Sequence, residues 1–538
     1  MNYLKRFTLL VCLLGLLVDC KNGAPVDGIQ PPTVPTASFT VTNDGCIAPC
    51  APTFTSTSPN ATSYVWEIDG SRVSTDATFT RQFTTAGTYT VKFTAANSVG
   101  INSSQKTITI NKPATPVVNK VWDKTFGGKD NDGPRSMVAT SDGGFLVGGS
   151  SSSGQDGNKS DPKRGQNDMW VVKIDGNGNK LWDKTFGGTG SDALSTILAT
   201  SDGGFLLGGN SDSGQEGNKS ALNKGDSDMW LVKIDGSGNK LWDKTFGGRN
   251  SDYLSAMVAT SDGGFLLGGD SFSDQIFDKS DPNRGRFDYW VVKIDMSGTK
   301  LWDKTFGGSA NESLYSMVAT SDGGFLLGGD SSSGQDGNKS DPNRGGGGSD
   351  MWLVKIDRNG TKLWDKTFGG SADDYLYTMV ATSDGGVLLG GLSKSGQDGN
   401  KSDPNRGQGD MWLVKIDGNG TKLWDKTFGG SSSDELRSLV ATSDGGFLLG
   451  GTSGPTQDGN KSDLYRGASD YWLVRIDGGG NKLWDKTFGG GSNDIMYSLL
   501  VTSDGGFSLA GTSRSDQDGD KFDPYRGGDY DYWVVKVK

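Results

Sequence analysis

The phrase Trp-Asp-Lys-Thr-Phe-Gly-Gly occurs seven times in this chain, and its regular spacing limits the folds that the sequence can adopt. The copies begin at Trp122, Trp182, Trp242, Trp302, Trp364, Trp424 and Trp484. They are 60 residues apart, except for one interval of 62 residues that contains the glycine run 345–348. A fixed period of this length indicates one repeated unit of secondary structure whose neighbours bury each other's apolar faces.

Each repeat contains enough strand-forming sequence for four strands. In the first repeat, the segments 136–140, 145–148 and 169–174 precede the strand of the repeated phrase at 181–186. The turn at 141–144 and the hairpin at 175–179 contain the Asp-Gly and Asn-Gly pairs that accept a positive φ. Seven antiparallel units of four strands predict an all-β, seven-bladed β-propeller over residues 120–538.

The two ends of the repeat region complement each other. The region opens with a lone strand at 121–126 and closes at 532–537 with the third strand of a unit that lacks its fourth. We predict that the first strand completes the last blade, because this closure leaves no unpaired sheet edge. A solenoid would carry distinct polar caps at its ends, and the sequence contains none.

The apolar and polar residues of the third and fourth strands alternate. Side chains on one face of each strand are predicted to fill the space between blades. In the first repeat these are Trp170, Val172 and Ile174 on the third strand and Leu181, Asp183 and Thr185 on the fourth.

The phrases Trp-Leu-Val-Lys-Ile-Asp and Thr-Ser-Asp-Gly-Gly make the repeat similar to the propeller repeats of secreted bacterial and archaeal proteins. The repeat differs from the eukaryotic WD repeat, since its period is longer and it has no Gly-His pair. The resemblance therefore implies an exported propeller.

The first 19 residues are typical of an export signal. Lys5 and Arg6 precede an apolar run at 7–18 that is too short for a typical membrane span. The following Leu-Leu-Val-Asp-Cys resembles a bacterial lipobox, which implies lipidation of Cys20 and a membrane anchor made of lipid only. Asp19 departs from the small residue of that pattern, so cleavage near residue 23 or 24 is the alternative. Both interpretations predict an outer-membrane or cell-surface lipoprotein or a secreted protein.

The cysteines fit an oxidising compartment. Of the four, Cys12 would be removed with the signal and Cys20 would carry lipid. Cys46 and Cys50 remain and are predicted to form a disulfide that closes a small loop.

Residues 31–110, after a linker at 20–30, alternate in the pattern of a small β-sandwich. The phrases at 57–66 and 86–97, which include Tyr-Val-Trp and Ala-Gly-Thr-Tyr-Thr-Val, resemble the PKD (polycystic kidney disease) domain family. The resemblance implies an immunoglobulin-like spacer or weak binding module with Trp66 in its core. The family's Gly-Asp-Gly turn is replaced by Ile-Asp-Gly at 68–70, which carries nothing catalytic. A proline-bearing linker is expected at 111–119.

Composition excludes several functions. The net charge of -11 argues against nucleic-acid binding, which needs clustered Lys and Arg. The chain has no histidine, so histidine bases and histidine zinc sites are excluded. A glycan or a protein outside the cell is the expected partner of a monomeric chain.

The link between the second and third strands is long in most repeats, and long loops in compact domains are often functional. We expect it to share a face with the loop that leads to the next blade. The candidate ligand-binding residues are Asp156, Asn158, Asp161, Asp336, Asn338, Asp341, Asp398, Asn400, Asp403, Asp458, Asn460 and Asp463.

Two alternatives concern these loops. The oxygen-bearing residues at 336, 338 and 340 alternate as in calcium loops, so calcium is a candidate ligand, although the glycine and glutamate of an EF-hand are missing. Alternatively, the side chains knit the loop by local hydrogen bonds.

The near identity of the repeats favours binding over catalysis. Seven equivalent weak sites would give avidity to a nonenzymatic receptor or adhesin. The alternative is a glycan-acting hydrolase or lyase with carboxylates in the funnel. The departures from the repeat, such as those in the third blade at 272–277 and 286–287, contain no obvious acid-base pair.

Overall fold

The computed structural model describes residues 32–48, 50–111, 118–345 and 347–538. Every regular element in these ranges is a β-strand, and the all-β prediction is confirmed. No helix in this part of the chain is long and apolar enough to cross a membrane. The chain divides into two compact units, Met1–Ala114 and Thr115–Lys538. The export signal, lipidation at Cys20, the linker at 20–30 and most of the linker at 111–119 lie outside the described residues.

The N-terminal unit is a small sandwich of two antiparallel sheets. Its strands are β1 (Phe39–Thr42), β2 (Thr53–Ser56), β3 (Ser63–Ile68), β4 (Ser71–Ser74), β5 (Thr78–Thr80), β6 (Gly87–Ala96) and β7 (Ile101–Ile110). The sheet orders are β1-β2-β5 and β4-β3-β6-β7. The predicted core residue Trp66 is fully buried, with its ring centroid 4.2 Å from that of Phe93. The sulfur atoms of Cys46 and Cys50 are bonded at 2.04 Å.

The C-terminal unit is a ring of seven four-stranded antiparallel sheets, so the predicted seven-bladed propeller is confirmed. Each blade runs from its innermost to its outermost strand in the order given. The first three blades are β9 (Asp132–Ala139), β10 (Phe145–Ser151), β11 (Asp168–Ile174), β12 (Lys180–Phe186); β13 (Asp192–Ala199), β14 (Phe205–Ser211), β15 (Asp228–Ile234), β16 (Lys240–Phe246); and β17 (Asp252–Ala259), β18 (Phe265–Ser271), β19 (Asp288–Ile294), β20 (Lys300–Phe306).

The remaining blades follow the same pattern. Blades four to six are β21 (Glu312–Ala319), β22 (Phe325–Ser331), β23 (Asp350–Ile356), β24 (Lys362–Phe368); β25 (Asp374–Ala381), β26 (Val387–Ser393), β27 (Asp410–Ile416), β28 (Lys422–Phe428); and β29 (Asp434–Ala441), β30 (Phe447–Ser453), β31 (Asp470–Ile476), β32 (Lys482–Phe488). The seventh consists of β33 (Asp494–Val501), β34 (Phe507–Ser513), β35 (Asp531–Val537) and β8 (Lys120–Phe126).

The seventh blade closes the ring with strands from both ends of the unit. β8 pairs antiparallel with β35, with Thr125 opposite Trp533. The pairing continues to Asn119, whose N–H donates to the carbonyl of Lys538 at 2.8 Å. The predicted closure is therefore confirmed.

The core lies between adjacent blades. One cluster combines Met169 and Val171 of the first blade with Leu194 and Trp230 of the second, all essentially without solvent exposure. Burying a large apolar side chain contributes about 1.5–3 kcal/mol. Because each blade contributes to two such clusters, adjacent blades stabilise each other.

The structure corrects the predicted packing face of the fourth strand. Trp182 pairs with Lys173, but Lys180 pairs with Ile174, so Leu181 is left over as a bulge. Leu181 is consequently 55% exposed, whereas Asp183 and Thr185 are buried as expected. The prediction was wrong for Leu181 because a bulge interrupts the alternation of side chains.

Candidate ligand-binding site

The long loops tie neighbouring blades together. In the first blade, the Asn158 carboxamide accepts a hydrogen bond from the Gly127 N–H at 2.9 Å and donates one to the Thr125 carbonyl at 2.8 Å. Asp161 accepts a hydrogen bond from the Thr185 N–H at 2.6 Å. Thr125 lies in the seventh blade and Thr185 in the first, so one loop joins two blades. These contacts also confirm that the long loop shares a face with the loop between blades.

The other predicted ligand-binding residues have equivalent partners. Asp156 accepts a hydrogen bond from the Lys129 N–H at 2.9 Å. The same bonds to backbone groups recur at Asp336, Asn338, Asp341, Asp398, Asn400, Asp403, Asp458, Asn460 and Asp463. These side chains thus have structural hydrogen bonds, as the alternative expected, but the bonds join the loop to neighbouring strands and are not local. Ligand binding by these residues stays a prediction.

The residues considered for calcium do not converge on one point. Asp336 accepts from the Ser309 N–H at 3.0 Å, Asn338 accepts from the Gly307 N–H at 2.8 Å, and the Ser340 hydroxyl donates to Asp365. In the described ranges, no three Asp, Glu, Cys or His side chains lie together as a metal-binding group. Calcium binding also stays a prediction.

A buried carboxylate holds each loop against its blade. Asp183 accepts hydrogen bonds from the Ser160 N–H at 2.9 Å and from Trp170 Nε1 at 3.0 Å, and it pairs with Lys180 at 2.7 Å. Burial raises the pKa of Asp183, but bonds from Lys180, Ser160 and Trp170 outweigh this effect and lower the pKa to about 2. Asp183 therefore remains an anion that anchors the loop.

A second bulge occurs in the innermost strand of each blade and directs one side chain into the centre of the ring. In the second blade, Leu194 and Thr196 pair with consecutive residues of β14, which leaves Ser195 unpaired. Bulges re-aim side chains in this way. We call the seven bulged residues the bulge ring: Arg135, Ser195, Ser255, Tyr315, Tyr377, Arg437 and Tyr497. All seven line one cavity of about 1000 Å³.

The bulge ring is asymmetric. The guanidinium carbon of Arg135 lies 4.3 Å from the ring centroid of Tyr497, and that of Arg437 lies 4.4 Å from Tyr377. Tyr315 meets Tyr377 edge to face at 5.6 Å. Blades two and three contribute only serines, so one wall carries aromatic and cationic groups and the other carries small hydroxyls.

The cavity extends from the bulge ring to the face that bears the long loops. Its lining there includes Asn131, Asn167, Asn493, Arg514 and Tyr530. No Asp or Glu is among the described residues that line it. Burial raises the pKa of Tyr377 to about 12 despite the opposing charge of Arg437, so the phenol can donate a hydrogen bond at neutral pH.

The sequence signal for this site is the variation of the bulge position within a repeat that is otherwise nearly uniform. The departures from the repeat that the sequence analysis names lie in the loops and do not include this position. The departures in the third blade lie elsewhere: Phe272 and Phe277 are 44% and 63% exposed, and neither lines the cavity.

Comparisons with known proteins agree with the organisation of the N-terminal unit. Residues 29–111 match the family model described as PKD domain. A 228-residue region is 24% identical to the regulatory protein FlaEY of Caulobacter vibrioides; it covers 38% of this chain and 22% of that protein. The chain thus spans about a fifth of the length of this relative.

Three solved structures match this chain at low sequence identity and with low TM-scores. Hydrazine synthase of Kuenenia stuttgartiensis has a TM-score of 0.37 and 12% identity, over 59% of this chain and 75% of that chain. A quinonprotein alcohol dehydrogenase-like protein of Bacteroides thetaiotaomicron has a TM-score of 0.33 and 12% identity, over 84% and 96%. An auxiliary nutrient binding protein of the same species has a TM-score of 0.31 and 10% identity, over 93% and 98%.

Proposed function

We propose that this protein is a nonenzymatic, exported surface lipoprotein whose propeller binds an extracellular glycan or protein group in the central cavity. The observation that carries the proposal is the asymmetry of the bulge ring. The bulged position is arginine, serine or tyrosine, whereas the third and fourth strands of the repeat are nearly identical. Seven equal loops would present the same chemistry seven times, whereas the bulge ring presents one distinct surface.

The cavity has the properties of a small-ligand site. Its volume of about 1000 Å³ lies at the upper end of the range for ligand pockets. The ring lies on strands that are hydrogen-bonded into their blades, so the backbone that carries it is ordered before a ligand binds. Tyrosine and arginine are the side chains that dominate many binding interfaces.

The composition of the cavity favours binding over the glycan-hydrolase alternative. Glycoside hydrolysis generally uses two carboxyl groups on opposite sides of the scissile bond. Asp and Glu are missing from the described residues of the lining, which carries Arg, Tyr, Ser, Thr and Asn instead. In this proposal the PKD unit is a spacer and the lipid on Cys20 is the membrane anchor.

The proposal is tested by replacing the two serines of the bulge ring with large side chains. The variant Ser195→Tyr/Ser255→Tyr places tyrosine where blades four, five and seven already have it, so the variant is expected to fold. The full chain is screened against an array of glycans and matrix proteins, and the affinity of each hit is measured for both proteins. We expect the double variant to bind at least about tenfold more weakly, which corresponds to about 1.4 kcal/mol.

The matched control is Ser237→Tyr/Ser297→Tyr, which makes the same change in two exposed hairpin turns of the same blades. It should bind as the natural protein does. Unchanged binding by the cavity variant, with an unchanged melting curve, would refute the cavity as the site and direct attention to the loops.

A further inference from the structure

The charge of the cavity is opposite to that of the protein. The chain has a net charge of -11, but the cavity lining contains Arg135, Arg437 and Arg514 and no described Asp or Glu. Cationic groups gathered in a concave site attract anionic ligands, because the low-dielectric walls focus the field.

Two of the arginines have no ionic partner. Arg135 and Arg514 make no salt bridge with any side chain in the described ranges, although acidic residues outnumber basic ones. Stacking on Tyr497 uses only the face of the Arg135 guanidinium. Its N–H edges remain available to a carboxylate, which guanidinium binds with two parallel hydrogen bonds.

Arg437, in contrast, already has an ionic partner. Its Nη2 pairs with Glu435, while its Nε is buried without a hydrogen-bond partner among the described residues. The uncompensated positive charge of the cavity therefore comes from Arg135 and Arg514.

The acidic groups behind the aromatic wall do not cancel this charge at neutral pH. Burial raises the pKa of Asp270 to about 8. Burial, together with the charges of Asp270 and Glu312, raises the pKa of Asp330 well above its ordinary value. Asp270 is therefore mainly protonated at pH 7, and burial disfavours the charged form of Asp330.

The rest of the lining suits a sugar. It offers amide and hydroxyl groups that both donate and accept hydrogen bonds, as sugar hydroxyls require. They belong to Asn167, Asn210, Asn493, Ser195, Ser255 and Thr512. Tyr315, Tyr377 and Tyr497 add aromatic surface with a polar tip.

We infer that the cavity binds an acidic glycan, with Arg135 and Arg514 receiving its carboxylates and the tyrosines contacting its sugar rings. This inference rests on the proposed function and names the class of its ligand.

The test measures binding of carboxylated oligosaccharides to the full chain by calorimetry. The probes are trigalacturonate, an alginate trisaccharide and a hyaluronan tetrasaccharide, each with its methyl ester as the uncharged counterpart. We expect at least one acid to bind, its ester to bind at least about tenfold more weakly, and added salt to weaken binding of the acid.

Two variants test which arginine binds the carboxylate of the ligand. Arg135→Gln should weaken binding of the acid about tenfold and leave binding of the ester unchanged. The matched control Arg358→Gln removes the same charge from an exposed hairpin turn outside the cavity lining and should bind as the natural protein does.

Several results would overturn the inference. The inference is wrong if none of the acids binds, or if an acid and its ester bind equally. It is also wrong if the two arginine variants have equal effects, or if an equal concentration of inorganic sulfate displaces the acid completely. Equal binding of acid and ester that is lost in Ser195→Tyr/Ser255→Tyr would reject the acidic ligand and still support the proposed cavity. Binding of the acid that is unaffected by Ser195→Tyr/Ser255→Tyr would reject both.

Discussion

Gly187, in the repeated phrase, shows how closely neighbouring blades approach each other. A Cβ atom at this position would lie 2.8 Å from Asp192 Oδ2 and closer still to Asp168 Oδ1. Both carboxyls are fully buried, one at the start of β11 and the other at the start of the next innermost strand, β13. Glycine is required here by the lack of space.

We predict that Gly187→Ala destabilises the propeller by about 1–3 kcal/mol, the usual cost of an added group in a packed interior. Urea unfolding measures the change. Gly214→Ala is the control, because a Cβ at that loop position would meet no atom within 4 Å and its φ is not positive. Equal stabilities of the two variants would contradict the steric argument.

At the scale of the elements, the long loops act as connectors between blades. The bonds from Asn158 to Thr125 and Gly127 link the loop of the first blade to β8, the strand that closes the ring. Losing them would leave the N–H of Gly127 and the carbonyl of Thr125, two buried residues, without their partner.

Asn158→Ala should therefore lower the free energy of unfolding by about 1–3 kcal/mol. Because Asn158 does not line the cavity, ligand affinity should be unchanged. Lys163→Ala serves as the control, since this exposed side chain of the same loop makes no hydrogen bond within the described structure. A loss of affinity in Asn158→Ala without a loss of stability would instead support direct ligand binding by the loop.

The elements also show what can be predicted from the sequence. The strands and the closing pair of β8 and β35 follow from the period, the turn residues and the incomplete last unit. The bulges at Leu181 and Ser195 do not, because a pattern of alternation assumes an uninterrupted pairing register. Placing the bulge ring on the cavity requires that register, so the site could not be predicted from alternation alone.

Across the whole molecule, pairs of buried carboxyls lie at the junctions between blades. Burial raises the pKa of Asp350 to about 7 and that of Asp410 to about 6. The negative charge of the partner carboxyl, Asp374 or Asp434, adds to this increase. The pKa values of Asp228, Asp288, Asp494 and Asp531 are raised to about 6 or 7 in the same way. The folded ring therefore holds protons that the unfolded chain would release.

This predicts that stability falls as the pH rises from about 5 to about 8. The contribution of a raised carboxyl is complete below its unfolded pKa of about 4 and is lost as the pH passes through its folded value. Denaturant midpoints across this range measure the effect. Asp350→Asn, which imitates the protonated form, should flatten the profile and increase stability at pH 8. A midpoint that is constant or rises from pH 5 to 8 would contradict the prediction.

The pairing of Asn119 with Lys538 brings the two ends of the propeller side by side. If a short peptide joined them and the chain were opened at the hairpin of another blade, every strand pair of the ring would be preserved. Circular permutants opened at different blades are therefore expected to reach the same folded structure. The natural chain starts at one of seven equivalent positions around the ring of blades.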